Sequence, residues 1–333
     1  MKSADIKKII SRFQKPLILL VVMLLLTILQ PGVFLTLGNF RSILLAISIY
    51  GIMVCGTIYT ILLGGIDLSV GAIAAMSGAW TVNIIVDHNF SAAGVVIGIL
   101  AGLLSGIIVG VVHGIIVSKF DVPPFLITLA SQNIVYGVAQ LLTGNKVINC
   151  LQPACFTFIG GGRLFGIPFS VIIFVIIAFI SYFLMNKTVF GRKVYAVGGN
   201  REASDLSGVS SQKVTMIAYS LSGLTAAIAG IVLASMNQQA IAKAAQGYEN
   251  DVLTAIVVGG TSLMGGEGSL QGAMFGALLV GMINNGLRLM GVPSTYHSVV
   301  KGIVIIIAVA VDAYGRHKNS GLQKKGFFKR GGK

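Results

Sequence analysis

Ten apolar runs of roughly bilayer-spanning length follow one another along this chain, near 17–37, 43–63, 70–86, 93–117, 124–142, 168–185, 214–234, 249–264, 269–290 and 296–312. Segments of this length without polar interruption predict an all-α polytopic membrane bundle of about ten spans. An even number of crossings returns the chain to the side on which it began. The third and eighth runs are the weakest. Each contains or adjoins paired glycines, so each is a candidate for a broken or re-entrant helix. Only 10% of the residues are charged, against about 25% in soluble domains. The 43 glycines fit the same reading, because helices in lipid associate through close backbone approach between small residues.

The net charge of +14 is localised. Lys2, Lys7, Lys8, Arg12 and Lys15 precede the first run; Arg316, Lys318, Lys324, Lys325, Lys329, Arg330 and Lys333 follow the last. This asymmetry predicts that both termini lie in the cytoplasm and speaks against nucleic acid; a solvated topological anchor explains the basic tail better than binding of anionic lipid or a partner does. The loops agree. Segment 186–213 carries Lys187, Arg192, Lys193, Arg201 and Lys213, and 118–123 carries Lys119. The opposite loops hold only Arg41, Lys146, Arg163 and Lys243, with Arg288 near a span end. Segment 143–167 is placed outside, where it caps a pore mouth, receives a partner or simply connects spans. The expected organisation is one membrane domain over 1–333: a basic cytoplasmic segment 1–16, a bundle 17–312 and a basic tail 313–333. The expected location is the bacterial cytoplasmic membrane. Run 17–37 is too long, and lacks the small-residue cleavage pattern, for a removable signal peptide. Cys150 and Cys155 share the outer loop as either a disulfide or two free thiols.

Four segments stand out. Gly64-Gly65-Ile66-Asp67-Leu68-Ser69-Val70-Gly71 brings an apolar run to a double glycine, a carboxylate and a hydroxyl. A helix can break at Gly64 and Gly65 and restart with Asp67 or Ser69 on its free amides. A carboxylate near membrane depth must face protein or water, because even lenient insertion scales charge about 2.5–3.5 kcal/mol for it. Gly259-Gly260-Thr261-Ser262-Leu263-Met264-Gly265-Gly266 echoes that pattern, and paired interruptions in a transporter often flank the transport route. A tight turn between spans is the plainer alternative. Glu249 and Asp251 lie two apart before a span. No histidine, metal ligand or nucleophile accompanies them, so a helix N-terminus stabilised by acidic residues explains them better than acid–base catalysis does. Polar residues within spans, among them Gln132, Asn133, Gln140, Asn284 and Asn285, suit interhelical hydrogen bonds. His113 suits packing.

The fourth is the charge-rich loop Val197-Gly198-Gly199-Asn200-Arg201-Glu202-Ala203-Ser204-Asp205-Leu206-Ser207-Gly208-Val209. Asn200 can cap a short amphipathic helix running to Leu206, with Glu202 in its first turn. Such a helix lying on the cytoplasmic face is a lever on which a soluble partner can push. The chain itself has no G-x-x-x-x-G-K-[ST] phosphate loop and no acidic metal cluster. It therefore holds no cofactor or energy source of its own. A secondary carrier would show a charged relay through the spans, and Asp67 alone does not make one. A membrane enzyme would need a nucleophile–base pair, which is missing.

Taken together, G-G-I-D-L-S-V-G-A at 64–72, F-G-R-K-V-Y-A-V-G-G-N at 190–200, G-Y-E-N-D-V-L-T-A-I-V-V-G-G-T-S-L at 247–263, N-N-G-L-R-L-M-G-V at 284–292 and V-V-K-G-I-V-I-I-I-A-V at 299–309 resemble the permease subunits of ribose/galactose-type ATP-binding-cassette importers. The resemblance implies a homodimeric or paired permease, two cytoplasmic ATP-binding domains that drive it, and an extracytoplasmic sugar-binding protein that delivers substrate. It places the family's coupling helix within 197–209. The residues read above as candidates for the translocation path and its gating are Gly64, Gly65, Asp67, Ser69, Gly71, Glu249, Asp251, Gly259, Gly260, Thr261, Ser262, Asn284 and Asn285. Ser204 stands where small alanine-like residues are common, and the two outer-loop cysteines belong to no family motif. G-E-G-S-L-Q-G-A at 266–273 is also similar to branched-chain amino-acid importer permeases. Nucleosides and sugar-like signals remain open as cargo.

Overall fold

The computed structural model describes residues 17–293, with 296, 297, 299, 302, 303 and 306 beyond them. The basic segments 1–16 and 313–333, and most of the tenth run, lie outside the described residues. Helices dominate: α1 Leu17–Leu29, α2 Leu37–Leu62, α3 Val70–Asp87, α4 Ala92–Phe120, α5 Pro124–Thr143, α6 Ala154–Gly161, α7 Phe169–Lys187, α8 Val189–Gly199, α9 Arg201–Leu206, α10 Ser211–Asn237, α11 Tyr248–Val258 and α12 Leu270–Leu289. Seven of them, α2, α3, α4, α5, α7, α10 and α12, are long and apolar enough to cross a membrane. The third run forms an intact 18-residue helix whose interruption lies in front of it. The eighth forms an 11-residue helix that stops at Val258, leaving 259–269 irregular.

Two short antiparallel ladders join the connections. Strand β1 (Ile148–Asn149) pairs with β4 (Gln239–Ala240), and β2 (Arg163–Leu164) pairs with β3 (Ile167–Pro168). Cys150 is buried, Cys155 is exposed, and both are free thiols.

The core forms around α2, α3 and α10. Glycine governs how α4 joins them. Gly94, Gly98, Gly102, Gly106, Gly110 and Gly114 recur every fourth residue, which aligns them as one ridge of the helix. Gly98 and Gly102 lie against the backbone of Thr81 and Ser77 on α3. Gly106, Gly110 and Gly114 lie against Gly223, Tyr219, Ser220 and Met216 on α10. A Cβ at these five positions would collide with its neighbour, so the ridge sets the helix spacing. The other side of α4 exposes Val96, Ile97, Leu100, Leu104, Ile108 and Val112, the surface a lipid-facing helix requires.

The ends of α2, α4 and α7 and the starts of α3, α5, α10 and α12 share one face with α8 and α9. The segments 118–123 and 186–213, expected on a common side, meet there through a 3.2 Å ion pair between Arg201 and Asp121. The α3–α4 turn, segment 144–168 and the start of 238–247 occupy the opposite face, the last two tied together by the β1–β4 ladder.

Candidate transport site and coupling face

The first interruption begins where α2 ends. Gly64 has φ +76°, and the amides of Gly64 and Gly65 fold back on Ile61 and Thr60 at 2.9 Å. Gly65 has no side chain because the Tyr219 hydroxyl fills that space. Asp67 is buried, and its carboxylate is fully engaged. Its Oδ1 accepts the Ser69 amide at 3.0 Å and the Ser69 hydroxyl at 2.6 Å; its Oδ2 accepts the Ser222 hydroxyl of α10 at 2.7 Å. Ser222 in turn contacts Thr57 of α2 at 3.3 Å. The Thr128 hydroxyl of α5 donates to the Ile66 carbonyl at 2.9 Å. A desolvated carboxylate is tolerable only when so satisfied. Ser69 is the residue before α3 but makes no side-chain cap bond. The hydroxyl serves Asp67 instead.

The second interruption is held mainly by backbone. Gly259 packs on Gly272 and Ala273 of α12. Gly260, Gly265 and Gly266 take φ +90°, +87° and +75°, conformations that only glycine adopts cheaply. The Ser262 amide bonds the Glu267 carbonyl at 2.8 Å, and the Ser262 hydroxyl accepts the Met264 amide at 3.2 Å. Thr261 and Ser262 are buried, whereas Met264 is exposed.

The two interruptions meet each other and the charge-rich loop at one point. The Gly266 amide donates to the Leu62 carbonyl, the last of α2, at 2.8 Å. The Tyr195 hydroxyl of α8 donates to the Gly268 carbonyl at 2.9 Å. Gly198 lies against both the Leu62 carbonyl and the Gly266 amide, with no room for a Cβ. Three segments far apart in the sequence, around Leu62, Gly198 and Gly266, thus share one backbone junction.

Helix α9 is clasped to the bundle beside this junction. Asn200 accepts the Ala203 amide at 2.9 Å, forming the expected cap. Arg201 donates to Ser211, Asp121 and the Ser118 carbonyl at 3.1–3.2 Å. Asp205 accepts the Ser211 amide at 2.9 Å and its hydroxyl at 2.8 Å. The bonds from the Ser211 amide and hydroxyl hold the Asp205 carboxyl below its ordinary pKa. Val197 and Ser204 are buried and Val209 is half-buried. Gly199, Glu202, Ala203, Ser207 and Gly208 are exposed, and Leu206 is 91% exposed. A cavity of about 240 Å³ lies between Gly64, Gly65, Pro123, Arg201 and Tyr219.

Glu249 and Asp251 sit in the first turn of α11 and face different partners. The Gln132 amide of α5 donates to Glu249 at 3.0 Å, and Glu249 leaves no room for a side chain at Gly71 of α3. Asp251 accepts the Asn284 amide of α12 at 3.0 Å. Asn285 donates to Asn39 of α2 at 2.8 Å. The in-span amides Gln132, Asn284 and Asn285 therefore bond between helices, as their positions suggest. Asn133 is exposed and bonds within its own helix. His113 is buried, with its ring edge-on to Tyr219 at 6.3 Å. Sequence reasoning missed Ser222, Thr128 and Tyr219. Each is a single polar atom in an apolar run, and no spacing rule singles it out. The glycine ridge of α4 did carry a signal, its period of four.

Residues 39–309 match the family model described as the permease component of branched-chain amino acid transport systems. The chain belongs to this permease family. It is 42% identical over 295 residues to the ribose import permease protein of Bacillus subtilis (strain 168), covering 88% of this chain and 90% of that one. It is 39% identical over 304 residues to the ribose import permease protein of Escherichia coli (strain K12), covering 90% and 93%. The L-arabinose transport system permease protein of the same strain is 36% identical over 281 residues, 84% of each chain. No solved structure matches the chain. These relatives and the seven apolar helices make it a multi-pass protein of the bacterial inner membrane.

Proposed function

We propose that this permease carries a monosaccharide such as ribose into the cytoplasm as the membrane subunit of an ATP-binding-cassette importer. The junction of Leu62, Gly198 and Gly266 carries this reading. A push on α9 passes through α8 directly to the backbone of both helix interruptions. Leu206, exposed at the end of α9, offers the apolar contact an ATP-binding partner needs. ATP and Mg²⁺ act on that partner, a sugar-binding protein delivers cargo from outside, and a second permease copy completes the path. The same reading includes about ten spans, cytoplasmic termini, and residues 197–209 facing the cytoplasm. Asp67 acts as a clamp on the first interruption, and Glu249 and Asp251 as clamps between α11 and its neighbours α5 and α12, rather than as solute ligands. The relatives named for ribose and L-arabinose favour a sugar over the amino-acid cargo in the family description.

Liposome reconstitution tests it. Uptake of labelled ribose should require the ATP-binding subunits, the binding protein and ATP together. Uptake that persists without the ATPase would make the chain a secondary carrier. ATP-driven uptake of a branched-chain amino acid in place of sugar would move it to the other branch of the family.

A further inference from the structure

On the face opposite α9, the β2–β3 hairpin turns through Phe165 and Gly166, with φ +51° and +80°. A two-residue turn with both central residues left-handed favours Asn, Asp or Gly. A bulky side chain in that conformation is an outlier. Phe165 makes no use of its ring inside the protein, being 96% exposed. Its neighbours Leu164 and Ile167 are 43% and 49% exposed. The turn therefore carries an apolar tip that its backbone disfavours and its interior does not use.

The tip has a neighbour that supplies a use. Strand β3 ends at Pro168 and α7 begins at Phe169, with Val175, Ile176, Phe179, Ile180 and Phe183 exposed along it. The apolar tip is thus continuous with the lipid-facing side of a span. Two strand residues reach about 7 Å beyond the span end. The interfacial layer on each side of the hydrocarbon is about 5–7 Å thick. A hairpin leaning along the membrane surface keeps the tip within that layer. Arg163 is exposed beside it, within reach of lipid phosphates. The α3–α4 turn repeats the arrangement on the same face. Phe90, at φ +57° and 36% exposed, stands two residues before α4, another helix with a long exposed apolar surface.

The geometry points to an interfacial anchor: Phe165, with Leu164 and Ile167, inserts into the carbonyl and headgroup layer of the outer leaflet and fixes the depth of α7, and Phe90 does the same for α4. Interfacial segments bury Phe and Leu side chains at the boundary between headgroups and acyl chains. The proposal rests on α7 crossing the membrane, as read above.

The single tryptophan, Trp80, makes the test direct. Trp80→Phe provides a silent background for Phe165→Trp, and Leu164→Trp is a second reporter on the same tip that avoids the strained position. Each full-length variant is placed in phospholipid nanodiscs. The expected result is blue-shifted emission, protection from acrylamide, and loss of most intensity in lipid brominated near the headgroup end of the chains. Emission of a fully hydrated indole, quenched by acrylamide and indifferent to bromolipid, overturns the anchor. So does an emission change that appears only when a sugar-binding protein is added, which would make the tip a protein-docking site. Phe179→Trp in the same background separates the two levels. Its failure to respond to lipid brominated deep in the chain would reject the span itself rather than the anchor.

Discussion

The two helix interruptions look alike in sequence and are held in opposite ways. Both start with a double glycine followed by a small polar stretch. At 63–69 the chain is fixed by side chains: Asp67 to Ser69 and Ser222, and Ile66 to Thr128. At 259–269 it is fixed by backbone and by its neighbours, with four glycines at positive φ and Tyr195 on the Gly268 carbonyl. The first is bolted to α5 and α10; the second leans on α8 and on the end of α2. The element fixed by side chains is expected to be the more rigid and the one fixed by backbone the more yielding, and the latter touches the surface on which a partner would act. If the two sides of the junction move relative to one another, the second interruption should move first.

The largest expected effect lies where both interruptions meet. Gly198→Val forces a branched side chain against the Leu62 carbonyl and the Gly266 amide, neither of which is a flexible group. Overpacking typically costs about 1–3 kcal/mol, and a backbone obstacle puts this site at the upper end. The thermal midpoint in detergent should fall by several degrees, and sugar uptake should be lost. Gly199→Val is the control. Gly199 faces open space, so the same change one residue on should leave the midpoint almost unmoved. Equal effects at the two glycines would mean that the contact of Gly198 with Leu62 and Gly266 does not hold the interruptions together.

Asp67→Asn comes next and probes the bolted side. The amide keeps the shape but gives up charge-assisted acceptance of three hydrogen bonds and brings a donor toward hydroxyls already donating. A loss of about 2–3 kcal/mol is expected, since bonds to charged groups contribute more than neutral ones. Ser262→Ala, the counterpart on the yielding side, should cost about 1 kcal/mol. A reversed order in the thermal midpoints would mean the two interruptions have been assigned the wrong roles. Tyr195→Phe removes one bond to Gly268, worth about 1 kcal/mol. Its effect should appear more strongly in uptake per ATP hydrolysed than in the melt.

The helices could be read from the chain because lipid leaves a long apolar run few other options. The cap at Asn200 and the acidic first turn of α11 were equally legible, being local chemistry within one turn of a helix. The pairing of the two interruptions was legible only as an echo of glycines. Nothing in the sequence near Leu62 announces that its carbonyl will bond Gly266, because that contact depends on how α2, α8 and α12 pack. The same holds for Asp67: its need for partners followed from burial, but Ser222 is one hydroxyl among several in α10. The boundary at 248–269 could not be placed by hydropathy, since the run continues apolar through the point where the helix stops.

The smallest effects on stability are expected on α9, and they separate fold from function most cleanly. Asp205 has a lowered pKa because it accepts two bonds from Ser211. A depressed carboxyl contributes its stabilisation above its unfolded value near 3.9 and loses it as pH falls through the lower folded value. The α9 clasp should therefore be indifferent to pH between about 5 and 8 and weaken only in strong acid, as amide exchange at Ser211 would report. Leu206→Asp goes further. The side chain is 91% exposed, so the thermal midpoint should stay within the ±0.5 kcal/mol typical of surface changes. Uptake should nevertheless collapse, because a charge replaces the apolar contact offered to the ATP-binding subunit. If the variant melts normally and still imports sugar at the original rate, α9 is not where the force enters, and the contrast between a bolted and a yielding interruption loses its driver.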